Sequence, residues 1–197
     1  MGVCMNRTRS FSPLCLLFTL LLFPITSLSQ PTLYIVRHAE KLANWPEQTL
    51  GIYHPLSETG VATATRLAKH FETMKFAAIY SSATTRSLHT AFPLSQKLGL
   101  PIESARALAD TAAIEAFYAE LSAKFKPGQS VLLVTHSNIA PYLLMKAGMS
   151  NECFEAMGIV KSMGSSWLVI EGYDNIYKVE KLGTKRTGCE GITRGKF

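Results

Sequence analysis

Short apolar runs alternate with helical patterns along most of the chain. Three runs of consecutive apolar residues are typical of strands buried on both faces, at residues 33–36, 77–80 and 131–134. Apolar positions at helical spacing lie between and after these runs, at residues 57–71, 83–98, 114–125 and 138–147. Strands that alternate with helices predict a parallel sheet with helices on both faces.

The last part of the chain predicts an antiparallel element. Strand-like runs at residues 166–170 and 176–179 flank the turn Gly172-Tyr173-Asp174-Asn175, which is the pattern of a hairpin. Pro93 falls inside the helix predicted at 83–98 and predicts an interruption there. The predicted fold class is therefore α/β: a three-layer α/β/α sandwich with a mostly parallel central sheet and an antiparallel edge strand.

The first 29 residues differ in composition from the rest. Arg7 and Arg9 precede an apolar stretch at residues 14–23, and Pro24 and a polar segment with small residues follow it. This is the pattern of a secretory signal peptide, because the apolar stretch is shorter than the about 20 residues that a membrane helix needs. We therefore expect a signal peptide at residues 1–29, a single domain at residues 30–197, and a periplasmic or secreted protein. An uncleaved membrane anchor is the alternative.

Composition limits the class of partner. Hydrophobic residues make up 47% of the 197 residues, as in an ordinary globular protein. Without Arg7 and Arg9, 18 Lys and Arg remain against 14 Asp and Glu, so the net charge falls from +6 to +4. The basic residues are scattered, which argues against a nucleic-acid partner, whereas a modest positive charge favours a small anionic substrate. We expect no stable membrane insertion after signal cleavage, and the sequence leaves the oligomeric state open.

Two of the four cysteines, Cys153 and Cys189, lie outside the predicted signal peptide. In an exported protein such a pair can form a disulfide, which would tie the C-terminal tail to the body of the domain. Their spacing matches no zinc-ligand pattern. The sequence leaves the choice between a disulfide and two free thiols open.

Histidine and arginine side chains follow three of the predicted strands. Arg37 and His38 come directly after the first apolar run, Arg86 follows the second within a few residues, and His136 follows the third. Because ligands of parallel α/β sheets bind where the carboxyl ends of the strands meet, we expect these four side chains to lie together. Packing alone explains one such histidine, but not two histidines and two arginines at three strand ends.

Two histidines and two arginines in one cleft suit a phosphoryl group. The arginine guanidinium matches phosphate oxygens with a planar fork of donors and stays charged at working pH. A neutral imidazole can attack phosphorus in line while fixed cations stabilise the charge on the equatorial oxygens. This chemistry requires neither a metal ion nor a cofactor, and we expect none.

Four segments resemble the histidine phosphatase superfamily, also called the phosphoglycerate mutase-like family. The first is similar to the family's Arg-His-Gly signature, with Ala39 in the glycine position, and the second is similar to its Pro-Leu-Thr-x-x-Gly helix start. The segments are Tyr34-Ile35-Val36-Arg37-His38-Ala39-Glu40-Lys41, Pro55-Leu56-Ser57-Glu58-Thr59-Gly60, Tyr80-Ser81-Ser82 with Arg86, and Val134-Thr135-His136-Ser137-Asn138. By this resemblance the chain is identified as a small, exported member of branch 1 of the family.

The resemblance implies a role for each matching residue. His38 would be the nucleophile that becomes phosphohistidine, and Arg37, Arg86 and His136 would line the phosphate pocket. Asn44, six residues after His38, is a candidate for the phosphate-contacting asparagine of mutase-type members.

The proton donor for the leaving group has no clear motif, since the glutamate segment of the mutase-like members is not visible. Asp110 is the first candidate, because it precedes a predicted helix at the carboxyl edge of the sheet. An aspartate in that position is equally an ordinary helix cap. Glu115, one turn further on, is the second candidate, and some short phosphohistidine phosphatases are thought to lack a dedicated acid.

The sequence thus predicts an exported phosphatase that hydrolyses small phosphomonoesters through a phosphohistidine. Residues 42–54, with Trp45 and Tyr53, follow the nucleophile and are the expected specificity wall. A non-catalytic phosphate-binding or interaction module on the same fold and a phosphatase of phosphohistidine proteins are the alternatives. The sequence does not name the substrate.

Overall fold

Buried apolar strands form a six-stranded sheet at the centre of the molecule. The computed structural model describes residues 1–2, 30–46, 51–180, 182 and 188–197. In the order β3-β2-β4-β1-β7-β8, the strands are Ile102–Ser104 (β3), Phe76–Ser81 (β2), Ser130–Thr135 (β4), Thr32–Arg37 (β1), Asn175–Val179 (β7) and Ile192–Lys196 (β8). The first four are parallel, β7 is antiparallel to β1, and β8 is antiparallel to β7.

The helices cover both faces of this sheet. They are Glu58–His70 (α1), Thr85–Leu98 (α2), Ile114–Lys124 (α3), Ala140–Lys146 (α4) and the short Phe154–Met157 (α5), with 3-10 turns at Gly51–Tyr53, Arg106–Leu108, Thr111–Ala113 and Asn151–Cys153. Leu33 and Ile35 of β1 pack in a cluster with residues of α3 and α4, whereas Val36 packs with residues of α1 and α2. Alternate residues of a strand point to opposite faces, so the predicted three-layer α/β/α sandwich is confirmed.

The C-terminal part differs from the predicted hairpin. Leu168–Ile170 (β6) pairs with Ile159–Lys161 (β5) in a separate two-stranded sheet, while β7 joins the main sheet beside β1. β6 and β7 pair with different strands, and the strand pattern in the sequence does not reveal which partner each strand takes. Strand β8 was not predicted either, because of its five residues only Ile192 is buried and the apolar pattern is absent.

Helix α2 runs through Pro93 without the predicted interruption. A proline inside a helix costs about 3 kcal/mol through the lost hydrogen bond and the steric clash. Ala91, Leu94 and Ser95 lie buried on the face of α2 that packs toward the sheet. The free energy gained by burying this face outweighs the cost of the proline, so the helix continues through Pro93.

Gly60 permits the entry to α1 to pass close to the segment that follows β1. A Cβ at Gly60 would lie 2.1 Å from the Glu40 carbonyl oxygen, a distance that side chains do not tolerate. Ser57 caps the same helix, as predicted, and its Oγ accepts a hydrogen bond from the Gly60 amide at 3.1 Å. The Pro-Leu-Ser-Glu-Thr-Gly segment therefore fixes the path of the chain just beyond His38.

A disulfide joins Cys153 to Cys189, with Cα atoms 5.7 Å apart. The bond holds the start of the C-terminal segment against the turn before α5. The predicted signal peptide covers residues 1–29, of which residues 3–29 lie outside the described part of the chain. Within the described ranges no helix has the length and apolar character needed to cross a bilayer.

Candidate active site

A cleft of about 410 Å³ opens at the carboxyl ends of β1, β2 and β4. Because these strands are parallel neighbours, the side chains that follow them converge at one edge of the sheet. The described residues that line the cleft are Arg37, His38, Lys41, Gly51, His54, Arg86, His136, Ser137, Asn138 and Tyr173. The structure thus brings together Arg37, His38, Arg86 and His136, as the strand-end pattern predicts.

The hydrogen bonds of His38 define its tautomer. Its Nδ1 lies 2.7 Å from the Ala39 carbonyl oxygen, which can only accept, so Nδ1 carries the proton. Its Nε2 accepts a hydrogen bond from Nε of Arg86 at 3.1 Å. The imidazole is therefore neutral, and its Nε2 lone pair is directed toward the arginine.

The pKa of His38 is lowered to about 3, chiefly by burial and in smaller part by the nearby His136, Arg86 and Arg37. The hydrogen bond to the Ala39 carbonyl oxygen opposes this shift. A group that stays neutral over the working range of pH keeps its lone pair available, which a nucleophile requires.

His136 has the opposite tautomer. Its Nδ1 lies 3.3 Å from Nη2 of Arg86, which can only donate, so the proton is on Nε2 and points to Oγ of Ser82 at 2.9 Å. Hydroxyl contacts continue from Ser82 to Thr84 at 3.1 Å and from Thr84 to Ser87 at 3.0 Å. The pKa of His136 is lowered to about 4, chiefly by burial and in smaller part by the nearby Arg86 and Arg37.

Arg86 connects both histidines to the cleft wall. Besides its bonds to His38 and His136, its Nη1 donates to the Gly51 carbonyl oxygen at 2.7 Å. Burial lowers the pKa of Arg86, and the charge of Arg37 lowers it further. An arginine nevertheless stays protonated at any working pH, so the guanidinium is a fixed cation beside both imidazoles.

Arg37 is held from the other side by the loop between β6 and β7. Its Nη1 donates to the Gly172 carbonyl oxygen and its Nη2 to the Tyr173 hydroxyl, both at 3.2 Å. The Tyr173 ring also stacks on the guanidinium, 4.0 Å from ring centroid to Cζ. Sequence reasoning assigned Tyr173 to a turn only, and no pattern in the chain indicates that this turn reaches the cleft.

The backbone around His38 is tied to α2 and β4. The His38 amide donates to the Thr135 carbonyl oxygen at 2.8 Å, and the Ala39 amide donates to Oγ1 of Thr90 at 2.9 Å. Thr90 in turn donates to the carbonyl oxygen of Arg86 at 2.7 Å. Ala39 is fully buried, so the position accepts only a small side chain.

The two candidate proton donors, Asp110 and Glu115, form hydrogen bonds and ion pairs with residues that do not line the cleft. Asp110 accepts from the Ala112 amide at 3.0 Å and pairs with Arg106 at 2.8 Å. The Ala112 amide, and after it Arg106, lower the pKa of Asp110, opposite to the shift that a general acid requires. Glu115 forms an ion pair with Lys146. Neither residue lines the cleft, so Asp110 occupies the capping position that the sequence left as the alternative.

Asn44 is exposed and is not among the lining residues, whereas His54, at the end of the expected specificity wall, lines the cleft. Among the described lining residues three carry a fixed positive charge, Arg37, Lys41 and Arg86, and none carries a carboxylate. A cleft with this charge balance attracts a phosphate-like dianion.

The comparisons with known proteins agree with this fold. The model of the histidine phosphatase superfamily, branch 1, matches residues 33–116, a range that includes Arg37, His38 and Arg86 but ends before His136. A search of curated protein sequences finds no match.

Solved structures with the same fold include three with different chemistry in their descriptions. The mycobacterial glucosyl-3-phosphoglycerate phosphatase has a TM-score of 0.57 and 18% identity, over 84% of this chain and 96% of that one. The protein histidine phosphatase SixA, complexed with tungstate, has a TM-score of 0.55 and 16% identity, over 84% and 94%. The phosphoglycerate mutase of Bacillus anthracis has a TM-score of 0.55 and 17% identity, over 87% and 94%.

The chain is an α/β protein with a basic, histidine-lined cleft, and it shares its fold with the phosphoglycerate mutase of Bacillus anthracis. The family model matches 84 of the 197 residues, so over this range the chain is similar to the histidine phosphatase superfamily. Members of that family are phosphatases or mutases, and the similarity supports phosphatase activity on a small phosphorylated substrate.

Proposed function

We propose that the protein is an exported phosphatase that hydrolyses small phosphomonoesters through a phosphohistidine at His38. The observation that carries the proposal is the tautomer of His38, whose unprotonated Nε2 faces the cleft beside Arg86. An unprotonated imidazole nitrogen next to a fixed cation is the arrangement that in-line attack on phosphorus needs.

In the first step Nε2 of His38 forms a bond to phosphorus while the bond between phosphorus and the leaving oxygen breaks, and that oxygen takes up a proton from solvent water. The positive charge that develops on the imidazole is stabilised by the hydrogen bond from Nδ1 to the Ala39 carbonyl oxygen. Arg37 and Arg86 hold the phosphoryl oxygens, so Nε of Arg86 exchanges its present acceptor, Nε2, for a substrate oxygen.

In the second step water attacks the phosphohistidine, the bond between nitrogen and phosphorus breaks, and orthophosphate and neutral His38 are regenerated. The Nε2–H group of His136 donates a hydrogen bond to Oγ of Ser82, and its Nδ1 accepts one from Nη2 of Arg86. We assign to His136 the task of orienting Arg86 and of contacting the phosphoryl group. No step requires a metal ion.

Export is supported by the pattern of residues 1–29 and by the disulfide between Cys153 and Cys189. Disulfides persist in the periplasm and outside the cell and are rare in the cytoplasm of most organisms. The substrate would then be a phosphoester of the envelope or the medium. The lining of the cleft is mainly polar and charged, which favours a polar leaving group.

Hydrolysis of phosphohistidine is a second candidate, and a specific observation favours it. The described part of the cleft offers no carboxylate to protonate a leaving oxygen. An imidazole leaving group requires no strong acid, since its own pKa lies near neutrality. The structure of SixA, described as a protein histidine phosphatase, shares the fold.

Steady-state hydrolysis of an aryl phosphate and of phosphoimidazole by the purified protein tests the proposal. We expect turnover of at least one of the two, and a loss of about 10³-fold or more in kcat for His38→Ala. His89→Ala is the matched control, because His89 is exposed on α2 away from the cleft, and it should leave kcat unchanged. Turnover that survives in His38→Ala would overturn the phosphohistidine mechanism. Absence of turnover with phosphate still bound would favour a phosphate-binding module.

A further inference from the structure

The arginine beside the nucleophile depends on a part of the chain that the family match does not cover. Residues 171–174 connect β6 to β7, and we call them the Tyr173 loop. Through Gly172 and Tyr173 this loop accepts two hydrogen bonds from Arg37 and covers one face of its guanidinium. The Tyr173 ring also lies 6.2 Å from the ring of His38, between centroids, and lines the cleft.

The Tyr173 loop is itself fixed by the buried Asn175. Nδ2 of Asn175 donates to the Glu171 carbonyl oxygen at 2.7 Å, which closes the loop across its base. Oδ1 of Asn175 accepts a hydrogen bond from Nε of Arg194 at 2.8 Å. Asn175 is 2% exposed, so its amide is satisfied by these protein partners rather than by water.

Strand β8 makes two further contacts with the loop. Lys196 forms an ion pair with Asp174 at 2.9 Å, and the Phe197 amide donates to the Asp174 carbonyl oxygen at 3.1 Å. The chain enters β8 from Cys189, which the disulfide fixes to Cys153. The C-terminal strand thus supports the loop from the side opposite to Arg37.

We propose that Tyr173 is a positioning residue that sets the affinity of the cleft for phosphate by holding Arg37, and that β8 keeps Tyr173 in place. This inference rests on the proposed function, since it assigns Arg37 to the phosphoryl group. Two nitrogens of the guanidinium are tethered and one face is covered, so its remaining N–H groups are oriented before a ligand arrives. A donor that is already ordered loses less conformational entropy on binding, which raises affinity.

Calorimetric titration of the purified protein with orthophosphate tests the role of Tyr173 without requiring turnover. Tyr173→Phe removes the hydroxyl that accepts from Arg37 and keeps the ring, and Tyr173→Leu removes both. We expect phosphate to bind about fivefold more weakly to Tyr173→Phe and more weakly still to Tyr173→Leu, with KM rising and kcat changing less. Tyr34→Phe, a phenol on β1 whose ring packs against Phe71 and Phe76, is the matched control and should bind like the parent.

A double-mutant cycle separates positioning from direct contact. If Tyr173 acts through Arg37, then Tyr173→Phe has no further effect on phosphate affinity in the Arg37→Ala background. An effect of the same size in both backgrounds would overturn the positioning role in favour of direct substrate contact, and an unchanged affinity in the parent background would overturn the inference altogether. A parent that binds phosphate but turns over no substrate would refute the proposed function alone.

A separate variant tests whether β8 contributes to phosphate affinity. Arg194→Gln removes the donor to Asn175 from an exposed position, so the fold should tolerate it. We expect phosphate affinity to fall about twofold to threefold, in the same direction as for Tyr173→Phe. Thr193→Ala, exposed on the same strand, should bind as the parent does. Equal affinities for Arg194→Gln and Thr193→Ala would overturn the contribution of β8.

Discussion

Nε of Arg86 donates a hydrogen bond to Nε2 of His38 across 3.1 Å, so the candidate nucleophile and the candidate phosphate clamp are partners of each other. In the proposed mechanism Arg86 exchanges this bond for one to a phosphoryl oxygen. The same guanidinium contacts His136 and Gly51. The side chain of Arg86 thus connects three residues that line the cleft.

Arg86→Lys should lower kcat/KM by about 10²-fold, which is about 2.7 kcal/mol of transition-state stabilisation. A lysine keeps the charge but cannot contact His38, His136 and phosphate at once, because it lacks the planar fork. Steady-state kinetics on an aryl phosphate measure the change. Arg66→Lys on the exposed face of α1 is the matched control and should retain the parent kcat/KM. A parent-like Arg86→Lys would show that charge alone suffices.

Ser82→Ala should lower kcat several-fold, about tenfold at most. The substitution removes the acceptor that fixes the Nε2 proton of His136 and leaves a buried donor unpaired. His136 is then free to change tautomer and to lose its contact with Arg86. Kinetics of Ser82→Ala and Ser122→Ala form a matched pair, since Ser122 lies on α3 and its hydroxyl donates to the Tyr118 carbonyl oxygen of the same helix. Equal kcat values for the two variants would contradict an orienting role for Ser82.

The buried histidines predict how stability depends on pH. The pKa values of His38 and His136 are about 3 and 4 in the folded protein, against about 6.5 in an unfolded chain. Between these limits the unfolded state binds more protons than the folded state, so the free energy of unfolding rises with pH from about 4 to about 6.5. Above about pH 6.5 the stabilising contribution of the two neutral histidines is complete. Urea unfolding at several pH values measures the slope.

The double variant His38→Gln, His136→Gln serves as the control for this slope. It should show a weaker rise of unfolding free energy between pH 4 and 6.5 than the parent does. An equal slope in the two proteins would mean that other groups carry the dependence. The double variant His70→Gln, His89→Gln, in which both histidines are exposed, should keep the parent slope.

Gly60→Ala should destabilise the fold by about 1–3 kcal/mol, the usual cost of forcing extra volume into a packed site. The new Cβ would lie 2.1 Å from the Glu40 carbonyl oxygen, so α1 and the segment after His38 must separate. Denaturant unfolding measures the loss. Gly195→Ala, with no atom within 4 Å of the new Cβ, should stay within about 0.5 kcal/mol of the parent. Similar losses in both would contradict the close approach at Gly60.

Reduction of the disulfide should lower the free energy of unfolding by about 3–4 kcal/mol, the entropy expected for a loop that spans 36 residues. Because Cys189 leads into β8, reduction should also weaken phosphate binding. Unfolding and calorimetry with and without a reductant measure both effects. Unchanged stability under conditions where both thiols become titratable would contradict the bond.

The sequence predicted the parts that local pattern encodes. The apolar runs before Arg37 and His136 are continuous, so they could be predicted as buried parallel strands. The convergence of the basic and imidazole side chains then followed, because the carboxyl ends of parallel strands meet at one edge of a sheet. Ser57 was predicted as a cap because capping chemistry is local.

The remaining features depend on tertiary contacts that no short pattern carries. The position of Tyr173 over Arg37 results from β6 and β7 belonging to different sheets, and β8 has too few apolar residues to be predicted as a strand. The sequence left two roles open for Asp110, helix cap and general acid, because either role is compatible with an aspartate just before a helix. In the structure the Asp110 side chain caps the 3-10 turn at Thr111–Ala113.

The most direct test is to mix the protein with an excess of an aryl phosphate, to quench within milliseconds in alkali, which preserves phosphohistidine, and to locate the phosphate by mass spectrometry. The account predicts a phosphorylated peptide that contains His38, formed before the steady state and absent from His38→Ala. Turnover by the parent with no phosphate on His38 at any time point, or with phosphate on another residue, would contradict it.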